Sequence, residues 1–230
     1  MKTVGLLGGM SWESTLVYYR LLNRMARDRL GGQHSAALIM WSVDFAPIVQ
    51  MQSDGRWDEA TAVLTDAAQR LEQAGADALL ICANTMHKMA DEVAAAVTIP
   101  LIHVADVTAS AIKIAGAQRP LLLATRYTME HDFYRARLAS NGVEALIPGE
   151  PDRLRLQAII FDELIQGVLN PVSKAQMLAM IGTARREQRV DAVILGCTEF
   201  GLLITPAELD LPVVDTTVVH AEAAMAFALA

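Results

Sequence analysis

The chain has 230 residues, 53% of them hydrophobic and 20% charged, which excludes a disordered chain and provides core material for one large domain or two small ones. The net charge is −7 and the Lys and Arg residues are scattered, which argues against nucleic acid as a partner, because phosphate neutralisation needs clustered cations. No apolar run reaches the roughly 18 residues that span a bilayer, and the first ten residues show no cleavage-like site, so no membrane partner and a cytoplasmic location are expected.

Residues 3–7 form a short apolar run ending in Gly8-Gly9, which predicts a first strand. Helical periodicity over 11–30 places Ser11 as N-cap and Gly31-Gly32 as the stop. A strand is predicted over 36–43 and a helix over 57–74, closed by Gly75. Next come a strand over 77–81, a helix over 85–96, a short strand over 100–104 and a helix from about 106 to 115. The second half gives a strand at 121–124, a helix at 128–139 and a strand at 144–147. Helices follow at about 154–166 and 173–188, then strands at 191–195 and 212–214. The last helix begins near Thr216, with Asp215 or Thr216 as its cap. Short, continuously apolar strands between helices indicate an α/β fold whose parallel sheets are covered on both faces.

The two halves match. Tyr19-Arg20 and Tyr134-Arg135 are 115 positions apart, as are Cys82 and Cys197. Asp77-Ala78 leads into the first cysteine and Asp191-Ala192 into the second; Pro100 and Pro212 each open the next short strand. This order predicts two pseudo-symmetric lobes, each a mostly parallel sheet flanked by helices. The expected boundaries are 1–104 with 212–230 for the N-terminal lobe and 105–211 for the C-terminal lobe. Ligands in open α/β sheets bind outside the C-terminal ends of the strands. Both cysteines occupy such ends, so the active site is expected in the cleft between the lobes.

Two cysteines without a CxxC pair do not suggest a disulfide framework or a metal site, and no metal is expected. An isolated cysteine is more often a small buried hydrophobe than a reactive thiol; equivalent placement in two matching halves favours the reactive reading. Racemisation at a Cα needs a base on one face and an acid on the other, a task suited to two like groups related by pseudo-symmetry. A nearby helix N-terminus is expected to lower each thiol pKa. No lysine lies in the turns around Cys82–Thr85 or Gly196–Glu199, so no pyridoxal phosphate site is read and no cofactor is expected. Asn84, Thr85 and Thr198 follow the cysteines and offer amides and hydroxyls to a developing negative charge. His87 either orients or deprotonates the first thiol or is an ordinary polar helix residue. Glu199 either serves the second thiol or only supplies favourable charge at a helix N-terminus. Ser11 is either a cap or a ligand contact. The Gly5–Gly9 segment lacks GxGxxG and reads as a tight turn rather than a dinucleotide loop.

At Gly8-Gly9-Met10-Ser11-Trp12-Glu13, Cys82-Ala83-Asn84-Thr85-Met86-His87 and Gly196-Cys197-Thr198-Glu199, the sequence resembles the aspartate/glutamate racemase family. The segments starting at Ser42, His103 and Thr125 resemble its branch of broad-specificity bacterial amino-acid racemases. The resemblance implies a cofactor-independent amino-acid racemase (isomerase) with Cys82 and Cys197 as the acid/base pair. It also implies that Asn84, Thr85 and Thr198 hold the substrate carboxylate and ammonium groups, and that Met10 and Gln52 lie along the substrate. Glutamate racemases of cell-wall synthesis carry an acidic residue near the first glycines and a Thr-His pair after the second cysteine. Met10-Ser11 and Thr198-Glu199 stand in those places here, which points to aspartate, glutamate or neutral polar substrates such as homoserine rather than strict glutamate specificity. Arg126 and Lys113 are candidates for reading a distal carboxylate. The alternatives are a maleate isomerase or hydantoin racemase activity on the same fold, or a non-catalytic two-lobed amino-acid-binding protein. A homodimer is compatible with an enzyme of this size, but no interface is legible.

Overall fold

The structure is a computed structural model describing residues 1–230. The chain divides into two units, Met1–His103 with His220–Ala230, and Val104–Val219. Each holds a three-stranded parallel sheet flanked by helices, the α/β class expected from the sequence. No helix is long and apolar enough to cross a membrane.

In the first unit β1 (Val4–Gly8) is the central strand, with β2 (Leu38–Ser42) and β3 (Ala78–Ile81) beside it; Val4 pairs with Leu38 and Ala78. α1 (Trp12–Leu30), α2 (Phe45–Ser53), α3 (Trp57–Gln73) and α4 (Ala90–Ala95) surround the sheet. α3 buries Ala60, Leu64, Ala67, Ala68 and Leu71, a single stripe of a 3.6-residue period, in one cluster with Leu7, Leu79 and Ile81. Val4, Leu6, Leu80 and Cys82 cluster instead with Tyr18, Leu22 and Ala26 of α1 and with Ala221, Ala224 and Met225. Strand alternation therefore assigns Cys82 to the α1 side of its sheet. Leu64 is fully buried, so Leu64→Ala should cost about 2–5 kcal/mol, read by urea unfolding at unchanged slope; a cost below about 1 kcal/mol would contradict this packing.

The second unit begins with α5 (Val104–Ile114) and β4 (Pro120–Leu123), followed by α6 (Arg126–Glu130), α7 (Asp132–Ser140) and α8 (Glu150–Ala158). α8 runs on through a π turn at Ile159–Glu163 and a 3₁₀ turn at Leu164–Gln166. Then come α9 (Pro171–Gln188), β5 (Ala192–Leu195), α10 (Phe200–Leu203), β6 (Val213–Asp215) and α11 (Thr216–Leu229), whose residues from His220 onward belong to the first unit. The strand order is β4-β5-β6, with Pro120 opposite Ala192 and Leu195 opposite Asp215. α9 starts from the Asn170 side chain, which accepts the Val172 N–H at 2.9 Å, and buries Ser173, Met177, Ile181 and Ala184 along one face.

Several expected elements differ. The expected 85–96 helix is a 3₁₀ turn (Thr85–Met89) and then α4, separated by Met89 at φ −109° and ψ 13°. The expected 128–139 helix is interrupted where His131 is extended (φ −82°, ψ 147°), and α7 restarts with Asp132 in its first turn. The expected strands at 100–104 and 144–147 shrink to single bridges, Leu79 with Leu101 and Leu121 with Leu146. α2 was not anticipated. The strand near 212–214, assigned on the sequence to the N-terminal lobe, pairs with β5 in the second unit.

Candidate functional site

In the first unit the candidate residues gather beyond the C-terminal ends of β1 and β3. Cys82 directly follows β3, and its N–H extends the ladder by donating to the Leu7 carbonyl at 2.9 Å. Its side chain is 1% exposed, and burial pushes the thiol pKa well above its ordinary value. At the end of β1, a Cβ on Gly8 would run into the Thr15 side chain. Gly9, at φ +92°, lies so close to the Val43 backbone that a Cβ has no space. The Gly9 N–H donates to the Thr15 hydroxyl at 2.9 Å, and that hydroxyl donates to the Ser11 carbonyl at 3.1 Å. The Ser11 side chain caps α1 by accepting the Ser14 N–H at 3.4 Å, so the cap reading of this residue is realised. Met10 is buried in the cluster that also holds Ile48 and Met86. The Gln52 amide donates to the Met86 sulfur at 3.6 Å, which brings α2 against the turn that follows Cys82. Asn84 and Thr85 are buried in that same turn.

His87 is buried, and its Nδ1 donates to the Ala83 carbonyl at 3.0 Å, bracing the residue next to Cys82. Two histidines given no site role on the sequence lie beside it, with His103 at 4.7 Å and His220 at 5.6 Å between ring centroids. His103 opens one of the family-resembling segments, whereas nothing in the local sequence marks His220, and their meeting depends on distant parts of the chain. His220 Nε2 lies 2.6 Å from the Ile102 carbonyl and must donate to it, so Nδ1 accepts the Tyr18 hydroxyl at 2.8 Å. Burial, opposed by the Ile102 bond and aided by His103, lowers the His220 pKa from 6.5 to about 4. Between those two values the unfolded chain takes up a proton that folded His220 does not. Stability therefore falls as pH drops from 6.5 toward about 4, by on the order of 3 kcal/mol from this group, and levels off below. His220→Gln should flatten that part of the stability–pH curve; an unchanged slope would contradict the assignment.

In the second unit Cys197 follows β5 through Gly196, whose N–H donates to the Leu123 carbonyl at 2.7 Å. A Cβ on Gly196 would crowd Leu122, Ala124 and the Leu123 carbonyl, so glycine lets the turn pack closely against β4. The Cys197 thiol donates to Glu199 Oε2 at 3.0 Å, and the Thr198 hydroxyl donates to the same oxygen at 2.6 Å. All three side chains are buried. The Cys197 pKa lies well above its ordinary value, first through burial, then through the Glu199 charge. The expectation that helix N-termini would lower both thiol pKa values is therefore corrected. Cys82 is followed by a 3₁₀ turn and Cys197 by a four-residue helix, and desolvation outweighs such short dipoles. Arg126 makes a two-bond pair with Glu130 at 3.0 Å on each arm, and Lys113 is exposed. No group of three or more His, Cys, Asp or Glu is arranged to hold a metal ion.

The two units thus surround their thiols differently. Cys197 has a carboxylate acceptor within hydrogen-bond reach, whereas Cys82 sits in an apolar cluster with Leu6, Tyr18 and Leu80. A family model described as Asp/Glu/Hydantoin racemase matches residues 7–224. The broad specificity amino-acid racemase RacX of Bacillus subtilis (strain 168) is 26% identical over 175 residues, covering 75% of this chain and 74% of that protein. A crystal structure assigned to the Asp/Glu racemases, from Yersinia pestis, superposes with a TM-score of 0.93 at 45% identity over the whole of both chains. An aspartate racemase homologue from Pyrococcus horikoshii OT3 superposes with a TM-score of 0.89 at 33% identity, again over the whole of both chains.

Proposed function

The chain belongs to the Asp/Glu/hydantoin racemase family, and from that premise we propose that it is a cytoplasmic, pyridoxal-independent amino-acid racemase in which Cys82 and Cys197 act on opposite faces of the substrate Cα. The observation that carries the reading is the Cys197–Glu199 contact: a buried thiol donates to a buried carboxylate that can accept its proton. In one direction the Cys197 thiolate removes the Cα proton and the Cys82 thiol supplies another from the far side; in the other direction the roles exchange. Asn84, Thr85 and Thr198 are proposed to hold the carboxylate and ammonium groups, because each presents a buried polar side chain next to a thiol. Met10 and Gln52 are proposed to line the substrate, and His87 to brace the Cys82 turn through Ala83.

Aspartate and glutamate are the proposed substrate class, extending to homoserine. Support comes from the family and from the likeness to a broad-specificity racemase, while Arg126, whose guanidinium is engaged by Glu130, is not proposed as the reader of a distal carboxylate. Chiral chromatography after incubation with each L-amino acid, alongside maleate and a 5-substituted hydantoin, tests this. Formation of D-amino acid from aspartate, glutamate or homoserine supports the reading. Turnover of maleate or hydantoin alone would replace it with an isomerase or hydantoin racemase activity.

A further inference from the structure

Cys197 lies near two carboxylates, and the second, Asp215, has no role in the mechanism above. Asp215 ends β6 and pairs in register with Leu195, two residues before Cys197. Its Oδ1 accepts the N–H groups of Thr217 at 2.8 Å and Val218 at 3.4 Å, capping α11. Its Oδ2 lies against Gly201, so close that a Cβ at that glycine would displace the carboxylate. Gly201 is the second residue of α10, which starts directly after Cys197-Thr198-Glu199. One oxygen of Asp215 therefore serves a helix end, while the other faces the start of α10, the helix that directly follows the thiol and its proton acceptor.

The charged and titratable groups around Asp215 are few. The turn after β5 contributes Cys197 and Glu199. The first turn of α11 contributes no charge. On α5, which packs against β6, Asp106 is engaged by Arg137 at 2.8 Å and Lys113 is exposed. Asp215 is thus held by backbone amides, and Glu199 is the charged group nearest to it along the thiol-bearing turn.

We propose that Asp215 is a positioning residue for Cys197: wedged against Gly201, it fixes the Cys197–Gly201 turn and sets a second negative charge beside the thiol that keeps the proton on sulfur in the resting protein. Burial and Glu199 raise the Cys197 pKa most, and the Asp215 charge acts in the same direction. This inference deepens the racemase reading and rests on it for its consequence in turnover. The ammonium group of a bound amino acid is the cation that offsets the two carboxylates. The Cys197 S–H bond then breaks, an O–H bond forms on Glu199 Oε2, and the electron pair stays on sulfur as the thiolate that attacks the Cα proton. An empty site keeps its thiol protonated and resistant to oxidation and alkylation.

Asp215→Asn tests this, because the amide oxygen can still accept the Thr217 and Val218 N–H groups while the charge is gone. Asp215→Ser, a second uncharged side chain that caps helices, guards against a folding defect peculiar to asparagine. The full chain, without substrate, is treated with iodoacetamide across a pH series, and each cysteine is followed by peptide mass mapping. The expected result is a Cys197 midpoint lowered by about half a pH unit or more, an alkylation rate about threefold higher below the midpoint, and an unmoved Cys82. A Cys197 midpoint unchanged in both variants would overturn the proposal. So would equal acceleration of both cysteines, which marks general loosening. The readout involves no turnover, so its failure is distinct from the failure of wild-type protein to racemise any amino acid.

Discussion

Cys197→Ser and Cys82→Ser should each lower racemisation by about 10³-fold or more, because each removes one of two groups that must transfer a proton in every turnover. Serine is close to cysteine in size, so neither change opens a large cavity in the buried surroundings of either residue. Its hydroxyl, however, is far too weak an acid to furnish a thiolate-like base near neutral pH. The two losses should be strongly non-additive, since either one alone already breaks the relay. D-aspartate formation followed by chiral chromatography, with thermal unfolding to confirm folding, reads the effect. Full activity surviving either change would refute a mechanism that uses both thiols.

Glu199→Gln should lower kcat/KM by about 10²-fold while moving the Cys197 alkylation midpoint to lower pH. The glutamine oxygen can still accept from Thr198 and from the thiol, so the turn should persist. What disappears is the ability to take the thiol proton, together with a charge that holds that proton on sulfur. The two readouts therefore move in opposite senses. A residue that merely held the turn would slow catalysis without making Cys197 easier to ionise. If Glu199→Gln kept wild-type kcat/KM, the acceptor would have to be another group.

The strands were legible in the sequence because parallel strands covered on both faces are continuously apolar, as in the buried runs of β1, β3, β4 and β5. Both cysteines could be placed after such strands from spacing alone. Asp215 was legible as a cap, though not as a neighbour of Cys197. That relation depends on β6 pairing with β5, a long-range contact that the proline spacing assigned to the other lobe. α2 escaped notice because Pro47 lies in its first turn, next to an irregular stretch of polar and apolar residues. The imidazole group could not be read at all: His87, His103 and His220 come from three separate segments and meet only after the chain folds. The thiol pKa values were misjudged for a related reason. Local sequence shows the helix that follows a cysteine, whereas burial, which dominates here, is a property of the whole unit.

Cα deuterium incorporation, followed by NMR in D₂O with L-aspartate, L-glutamate and L-homoserine, tests the central claim most directly when wild-type protein is run beside Cys82→Ser and Cys197→Ser. The two-thiol racemase predicts exchange together with D-isomer formation in wild type, and loss of D-isomer formation in both variants. Absence of exchange with every amino acid, or racemisation retained in either variant, would contradict it.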